Sequence, residues 1–290
     1  MNIKRAKLLQ LNDDAGRHYY GGDQGWYISN THAMGGCGSV SGANVLRALA
    51  QTNSDFMNSV MSSKKMPEHI KQAICSESVS RDMYNLLMIG IYRKMGAFEL
   101  FPLNRLYDKK ERGSKPLFKI PPNMGQTNTG FIIGIIRFAR KMGINISVKC
   151  LNTAFLDSEK GRKFIDKGLT NSGAVVLLTS YNKHSLKVYP ADCDLDRPLT
   201  SQRGSYDSSM KCHFATITDM DLDRLLISTW GKPAVASFPE VSTSWKSIKA
   251  FESTLMYIYP SDRSESTKCI LGAFWPFIKG IIQAIIRHAF

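Results

Sequence analysis

Cys37 sits between glycines in Gly35-Gly36-Cys37-Gly38-Ser39, and the run Val40 to Leu49 behind it has helical character. Glycine on either side lets the backbone turn tightly and keeps a neighbouring Cβ away from the sulfur. A helix opening at that point directs unpaired N–H groups and a partial positive charge at the thiol. Both effects favour the thiolate, which is the reactive form. The same residues also suit a tight turn around an inert buried thiol, since cysteine is among the most buried residue types.

A second set of residues lies far downstream. His213 begins the alternating run His213-Phe214-Ala215-Thr216-Ile217-Thr218-Asp219, and six residues later Leu225-Leu226-Ile227-Ser228 leads into Thr229-Trp230-Gly231-Lys232. Two antiparallel strands joined by a short acidic turn bring the Ser-Thr-Trp-Gly corner beside His213. A histidine at a strand end, next to a polar side chain and under an indole, suits a general base. The polar group holds the ring tautomer, and the indole shields that bond from water. Taken alone, His213 also fits a histidine merely satisfied at a sheet edge.

Together these residues carry a resemblance. A Gly-Cys-Gly opening a helix, a distant strand His, then a polar residue ahead of Trp-Gly, in that order, resembles the papain-like cysteine peptidase superfamily. The chain looks most like the bacterial double-glycine-peptidase-like branch. The matching islands are Gly21-Gly22-Asp23-Gln24, Gly35–Gly38, His213–Thr218 and Ser228–Gly231, spread over residues 19–240. The resemblance implies Cys37 as nucleophile and His213 as its base. It implies Gln24 as the side-chain oxyanion donor beside the Cys37 backbone N–H, although Gln24 stands thirteen residues upstream and the loop 25–34 must fold back. Ser228 stands where relatives carry Asn or Asp. A hydroxyl there accepts the imidazole N–H but stabilises an imidazolium less than a carboxylate does. Asp219 and Asp221 are substitutes, in a turn that points them away. Gly36, Gly38, Trp26 and Trp230 are expected to line or support the cleft. His18 and His32, as alternative bases, break the order of the resemblance. His69 reads as a surface helix start, His184 as a turn residue and His288 as part of the tail.

The elements that must position these groups follow from periodicity. Helices are expected from Ser39 to Gln51, from Met83 to Met95 behind a Ser80-Arg81-Asp82 cap, and from Gly130 to Met142, ended by Gly143. Residues 13–34 read as an ordered loop rich in Gly, Asp, Asn, Tyr and Trp. Strands are expected at Ile144–Cys150, Ala174–Ser180, Ser185–Tyr189, His213–Asp219, Leu225–Thr229, Ala234–Phe238 and Leu255–Tyr259. A helical front half and a strand-rich back half make an α+β fold, and the resemblance implies a papain-like one with the nucleophile helix packed on a C-terminal antiparallel sheet. Residues 1–262 are assigned to that domain. Residues 269–290 form a separate amphipathic segment, with Phe274, Phe277, Ile278, Ile281, Ile282, Ile285 and Ile286 opposite Lys279, Gln283 and Arg287. It suits an anionic membrane surface or a groove on its own domain or a partner.

Composition bounds the rest. The chain has 290 residues, 43% hydrophobic and 21% charged, which excludes wholesale disorder. Its net charge of +14 favours anionic partners, yet no basic run is interleaved with aromatics as a nucleic-acid groove requires. Six cysteines without a C-x-x-C pair argue against structural zinc, and no cofactor is expected. The first residues lack an apolar core of signal-peptide length, so a cytoplasmic chain with reduced thiols is expected, peripheral to a membrane if the tail binds one. Two functions fit: a thiol peptidase or acyl-transfer hydrolase acting on a peptide or protein, and a silent binding module for a peptide or anionic partner.

Overall fold

The structure is a computed structural model that describes residues 9–12, 16–28, 35–95, 128–152, 158–179, 188–190, 213–222, 224–239 and 254–272. Two short strands, β1 (Gln10–Asn12) and β2 (His18–Tyr20), pair antiparallel near the amino terminus. The helix α1 (Cys37–Thr52) follows, and every residue from Cys37 to Ala50 is buried. Its small residues, Gly38, Ser39, Ser41, Gly42, Ala43, Ala48 and Ala50, let neighbours close in on all sides, as a helix central to a domain requires. Asn53 ends it in an extended conformation and accepts a hydrogen bond from Phe56 N–H (2.9 Å), which opens α2 (Ser54–Ser62).

Three further helices surround α1: α3 (Glu68–Cys75), α4 (Arg81–Met95) and α5 (Asn128–Lys141). The Ser80 hydroxyl accepts from Met83 N–H (3.3 Å), so the expected cap is present. Gly143 has φ +81°, and Ile144 N–H bonds Ala139 O (3.0 Å) while Gly143 N–H bonds Arg140 O (3.1 Å). This is a Schellman end, where a left-handed residue favours glycine.

The back half is a seven-stranded antiparallel sheet among the described residues. Its strands are β3 (Ile146–Asn152), β4 (Val175–Leu178), β5 (Tyr189–Pro190), β6 (Phe214–Asp221), β7 (Arg224–Thr229), β8 (Lys232–Ser237) and β9 (Thr254–Pro260). The order is β3-β9-β4-β6-β7-β8-β5. Strand alternation gives the sheet two different faces. Val176, Phe214, Leu226, Met256 and Ile258 join the cluster around α1. Val175, Leu177, Ala215, Ile217, Leu225, Ile227 and Leu255 form a second cluster with Ile165 and Leu169. Those two belong to α6 (Ser158–Ser172), a helix that sequence periodicity did not reveal. Its buried face combines Ile165 and Leu169 with Gly161, Gly168 and Ser172. A Cβ on Gly168 would fall 2.4 Å from Val175 Cγ2, so close approach to the sheet replaces large apolar side chains.

The architecture is therefore mixed α+β, as expected, with α1 against one face of the sheet. Several boundaries differ from expectation: α1 starts at Cys37 and not Ser39, and β8 runs Lys232–Ser237 and not Ala234–Phe238. β2 lies within the stretch read as loop, because a three-residue strand carries no periodic signal. The last described helix spans 263–272 and starts six residues ahead of Cys269. Asp262 caps it by accepting from Glu265 N–H (2.7 Å). Cys269 Sγ donates to Val148 O (3.0 Å) and accepts from Val148 N–H (3.3 Å), closing the outer edge of β3. Most of the proposed amphipathic tail, residues 273–290, lies outside the described residues, as do residues 185–187 of one expected strand, His32, His184 and His288. Among the described residues, no helix is long and apolar enough to cross a membrane.

The α4–α5 contact is tight enough to test. A Cβ on Gly134 would lie 2.5 Å from Met95 Cα and 2.8 Å from its nitrogen, both backbone atoms that have no rotamer to yield. Gly134→Ala is expected to destabilise by about 2 kcal/mol and lower Tm by several degrees. Gly272→Ala, where nothing lies within 4 Å, is expected to leave the melting curve unchanged.

Candidate active site

The amino-terminal turn of α1 is braced before the thiol is reached. Gly36 is its N-cap at φ −85°, a conformation open to any residue, so the tight glycine turn expected ahead of Cys37 is not present. The Gly36 carbonyl accepts from Val40 N–H (3.0 Å) and from the Ser39 hydroxyl (2.7 Å). The Tyr27 hydroxyl meets Ser39 Oγ at 2.5 Å and ties the preceding loop to the same turn. Cys37, the first helical residue, is 5% exposed, and Gly38 behind it is buried. The positive end of the helix dipole is at this residue.

His213 immediately precedes β6. Its N–H donates to Thr179 Oγ1 (3.1 Å), and its carbonyl accepts from Thr179 N–H (2.9 Å). The ring is fixed from two sides: Nε2 lies 2.9 Å from Thr229 Oγ1, and the imidazole stacks on Trp230 with centroids 4.8 Å apart and planes 22° apart. The Thr229 hydroxyl can accept from Nε2–H or donate to Nε2, and in the tautomer with the proton on Nε2 the Nδ1 lone pair is open to another partner. Burial pushes the imidazole down to about 4 from its ordinary 6.5, so His213 is neutral at physiological pH.

Trp230 and Gly231 form the two-residue turn between β7 and β8, at φ +48° and +69°. Both central residues at positive φ are the signature of a type I′ hairpin turn, normally filled by Asn-Gly. A tryptophan there holds a strained backbone conformation, and its indole lies on the imidazole.

Ser228 has a different role from the one expected. Ser228 pairs with Thr216 across β6 and β7, on the sheet face turned to α1. Its hydroxyl donates to Tyr20 O (2.6 Å) and accepts from Asn44 Nδ2 (3.2 Å). The ring partner is the next residue, Thr229, because successive strand side chains alternate faces. Asp219 and Asp221 are no substitute. Asp219 is six residues along the strand, roughly 20 Å from His213 at strand rise, and its carboxylate accepts from Met220 N–H (2.9 Å).

The loop bearing Gln24 is drawn in by the same hairpin corner. Tyr20 N–H bonds Gly231 O (2.8 Å), and Gly231 N–H bonds Gly22 O (3.1 Å). Gly21 at φ +78° makes the turn, and a Cβ on it would fall 2.5 Å from Ser228 Oγ. Asp23 then caps the single turn Gln24–Trp26 by accepting from Gly25 N–H (2.8 Å). Gln24, Cys37, His213, Ser228, Thr229 and Trp230 all line one small cleft with free space of about 10 Å³, room for a single water. Gln24 Oε1 is buried without a hydrogen-bond partner. Trp26 supports the loop from elsewhere: it meets Tyr19 edge-on (5.0 Å) and lies under the Arg81 guanidinium (5.4 Å). His18 is exposed and bonds Asn12 Oδ1 (2.7 Å), and His69 is on the exposed face of α3.

Sequence reasoning missed Thr229 and Asn44. The Trp230-Gly231 turn was the available signal for Thr229, since it makes Thr229 the last strand residue. Asn44 is a polar residue in a fully buried helical run, seven residues after Cys37. Among the described residues, no three His, Cys, Asp or Glu side chains gather as metal ligands. No family model matches the chain, and no curated protein matches it either.

The depressed imidazole pKa has a stability consequence. Between about pH 6.5 and 4 the unfolded chain binds a proton at His213 that the folded chain does not. The contribution is fully present above pH 6.5 and is lost as pH falls to about 4, at a total of about 3 kcal/mol. Urea unfolding at pH 7 and pH 4 is expected to show this loss in the wild type and a correspondingly shallower one in His213→Gln. Equal losses in both proteins would contradict the burial argument.

Proposed function

We propose that this chain is a thiol-dependent peptidase or related acyl-transfer hydrolase for peptide or amide bonds, built on a papain-like plan. One observation carries the reading: Cys37 at a helix start, His213 held by Thr229 and Trp230, and Gln24 line the same pocket. The resemblance of the four sequence islands to papain-like peptidases supports it independently.

In this mechanism His213 Nδ1 takes the Cys37 proton as the sulfur attacks the carbonyl carbon. The resulting oxyanion is stabilised by the Cys37 backbone N–H and the Gln24 side-chain amide. The imidazolium then returns its proton to the leaving amine. A water activated by His213 cleaves the thioester and restores the thiol. With a hydroxyl as ring partner and no carboxylate, the imidazole is neutral before it takes the thiol proton. The imidazolium therefore gains less stabilisation than beside an anion, which limits the rate.

Against a library of fluorogenic peptides, Cys37→Ala is expected to abolish turnover while leaving thermal unfolding within about a degree. His213→Ala should lose roughly 10²- to 10⁴-fold in kcat/KM. Thr229→Val, which keeps the shape and removes the ring acceptor, should lose about tenfold. With the base neutral above about pH 4, the acid limb of kcat/KM is expected near pH 4 and not near 6.5. Undiminished turnover in Cys37→Ala would overturn the assignment.

The hydroxyl at Thr229 also favours a second reading, a catalytically silent papain-like module that grips a peptide or anionic partner. Iodoacetamide separates the two at neutral pH. Selective alkylation of Cys37 among the six cysteines supports the enzyme, and slow or indiscriminate labelling supports the module.

A further inference from the structure

Asn44 touches every element that carries a proposed catalytic group. It is 1% exposed and lies seven residues beyond Cys37 on α1, about 10 Å along the helix axis. Its Oδ1 accepts from Gly22 N–H (3.1 Å), in the segment leading to Gln24, and from the Tyr84 hydroxyl (2.7 Å) on α4. Its Nδ2 donates to Thr216 Oγ1 (3.2 Å) on β6 and to Ser228 Oγ (3.2 Å) on β7. All four hydrogen-bonding positions of the amide are thereby used. Ser228 extends the network by donating to Tyr20 O (2.6 Å), so two side-chain bonds from this network join the backbone bonds that Gly231 and Leu9 make to the Tyr20–Gly22 segment.

The chemistry of the position admits little else. Aspartate would set an oxygen against Ser228 Oγ, whose proton is already committed to Tyr20 O. Leucine would leave Gly22 N–H and the Tyr84 hydroxyl buried without acceptors, which costs about 1–3 kcal/mol for each group. Only a side-chain amide of this length offers two acceptor and two donor positions at once.

We infer that Asn44 is a positioning residue, which fixes the segment leading to Gln24 against the middle of α1 so that the Gln24 amide faces an oxyanion formed at Cys37. The inference rests on the acyl-transfer reading. Asn44 acts through Gln24, and Ser228 belongs to this clamp and not to the imidazole.

Two reactions of the Cys37 sulfur separate positioning from structure. Acylation by p-nitrophenyl acetate forms a tetrahedral oxyanion and releases p-nitrophenolate, whereas alkylation by iodoacetamide displaces iodide and forms none. Both rates are measured on the full chain, with the signal of Cys37→Ala subtracted, for wild type, Asn44→Ala, Gln24→Ala and the double variant. Asn44→Ala is expected to slow acylation about tenfold or more and alkylation by less than about threefold. The double variant is expected to acylate no more slowly than Gln24→Ala alone. If the two losses multiply, or if alkylation falls as far as acylation, the inference is overturned. Should Asn44→Ala fail to fold, Ser228→Ala, which removes one link of the clamp, carries the same cycle with the same criteria. A wild-type thiol that alkylates but never acylates would overturn the acyl-transfer reading and this inference with it. Acylation with multiplying losses would overturn the inference alone.

Discussion

A helix buried around its whole circumference must find partners for its polar groups within the protein, and α1 is such a helix from Cys37 to Ala50, with Arg47 Nε left unpartnered. Its polar side chains therefore reach out and organise what surrounds them. Ser39 turns back to the Gly36 carbonyl. Arg47, 1% exposed, spreads its guanidinium over the carbonyls of Ser76 (2.7 Å), Glu77 (3.0 Å), Ala73 (3.4 Å) and Gln10 (3.4 Å). Burial lowers its pKa, and the carbonyl oxygens supply the negative ends of dipoles where a carboxylate would otherwise stand. One face of the helix thus fastens the α3–α4 connection and β1. Another, through Asn44, fastens the sheet and the loop that approaches the thiol.

The same exclusion of water shapes the electrostatics of the pocket. His213 is desolvated and faces a hydroxyl and an indole, neither of which carries charge. In a low-dielectric setting an imidazolium next to a thiolate forms only when something else stabilises it. The helix dipole at Cys37 stabilises the sulfur side of such a pair and the hydroxyl of Thr229 does little for the ring side. The imidazole stays neutral down to about pH 4.

What could be read from the chain depended on how local its cause was. Cys37 and His213 stood out because residue type, glycine context and order along the chain are all visible in one dimension. The Gly143 helix end was legible for the same reason. The exchange of Ser228 for Thr229 was not, because the face presented to the ring depends on strand register, and register here is set by a turn with tryptophan at φ +48°. Nothing in local turn chemistry favours that residue there. The partners of Asn44 lie between 22 and 184 residues away, so its role exists only once the sheet has closed on α1. α6 escaped notice because only Ile165 and Leu169 are large apolar residues on a buried face otherwise made of glycine and serine.

The outer edge of β3 is sealed at Val148 by a sulfur. Thiols are weak donors and weak acceptors, so Cys269 occupies this N–H and C=O pair far less firmly than a neighbouring strand would. An open strand border recruits other chains, and the helix at 263–272 acts here as its bumper. Whatever lifts that helix away leaves a docking rail for a second molecule, which makes solution association state a sensitive reporter of how well the carboxy-terminal region stays seated.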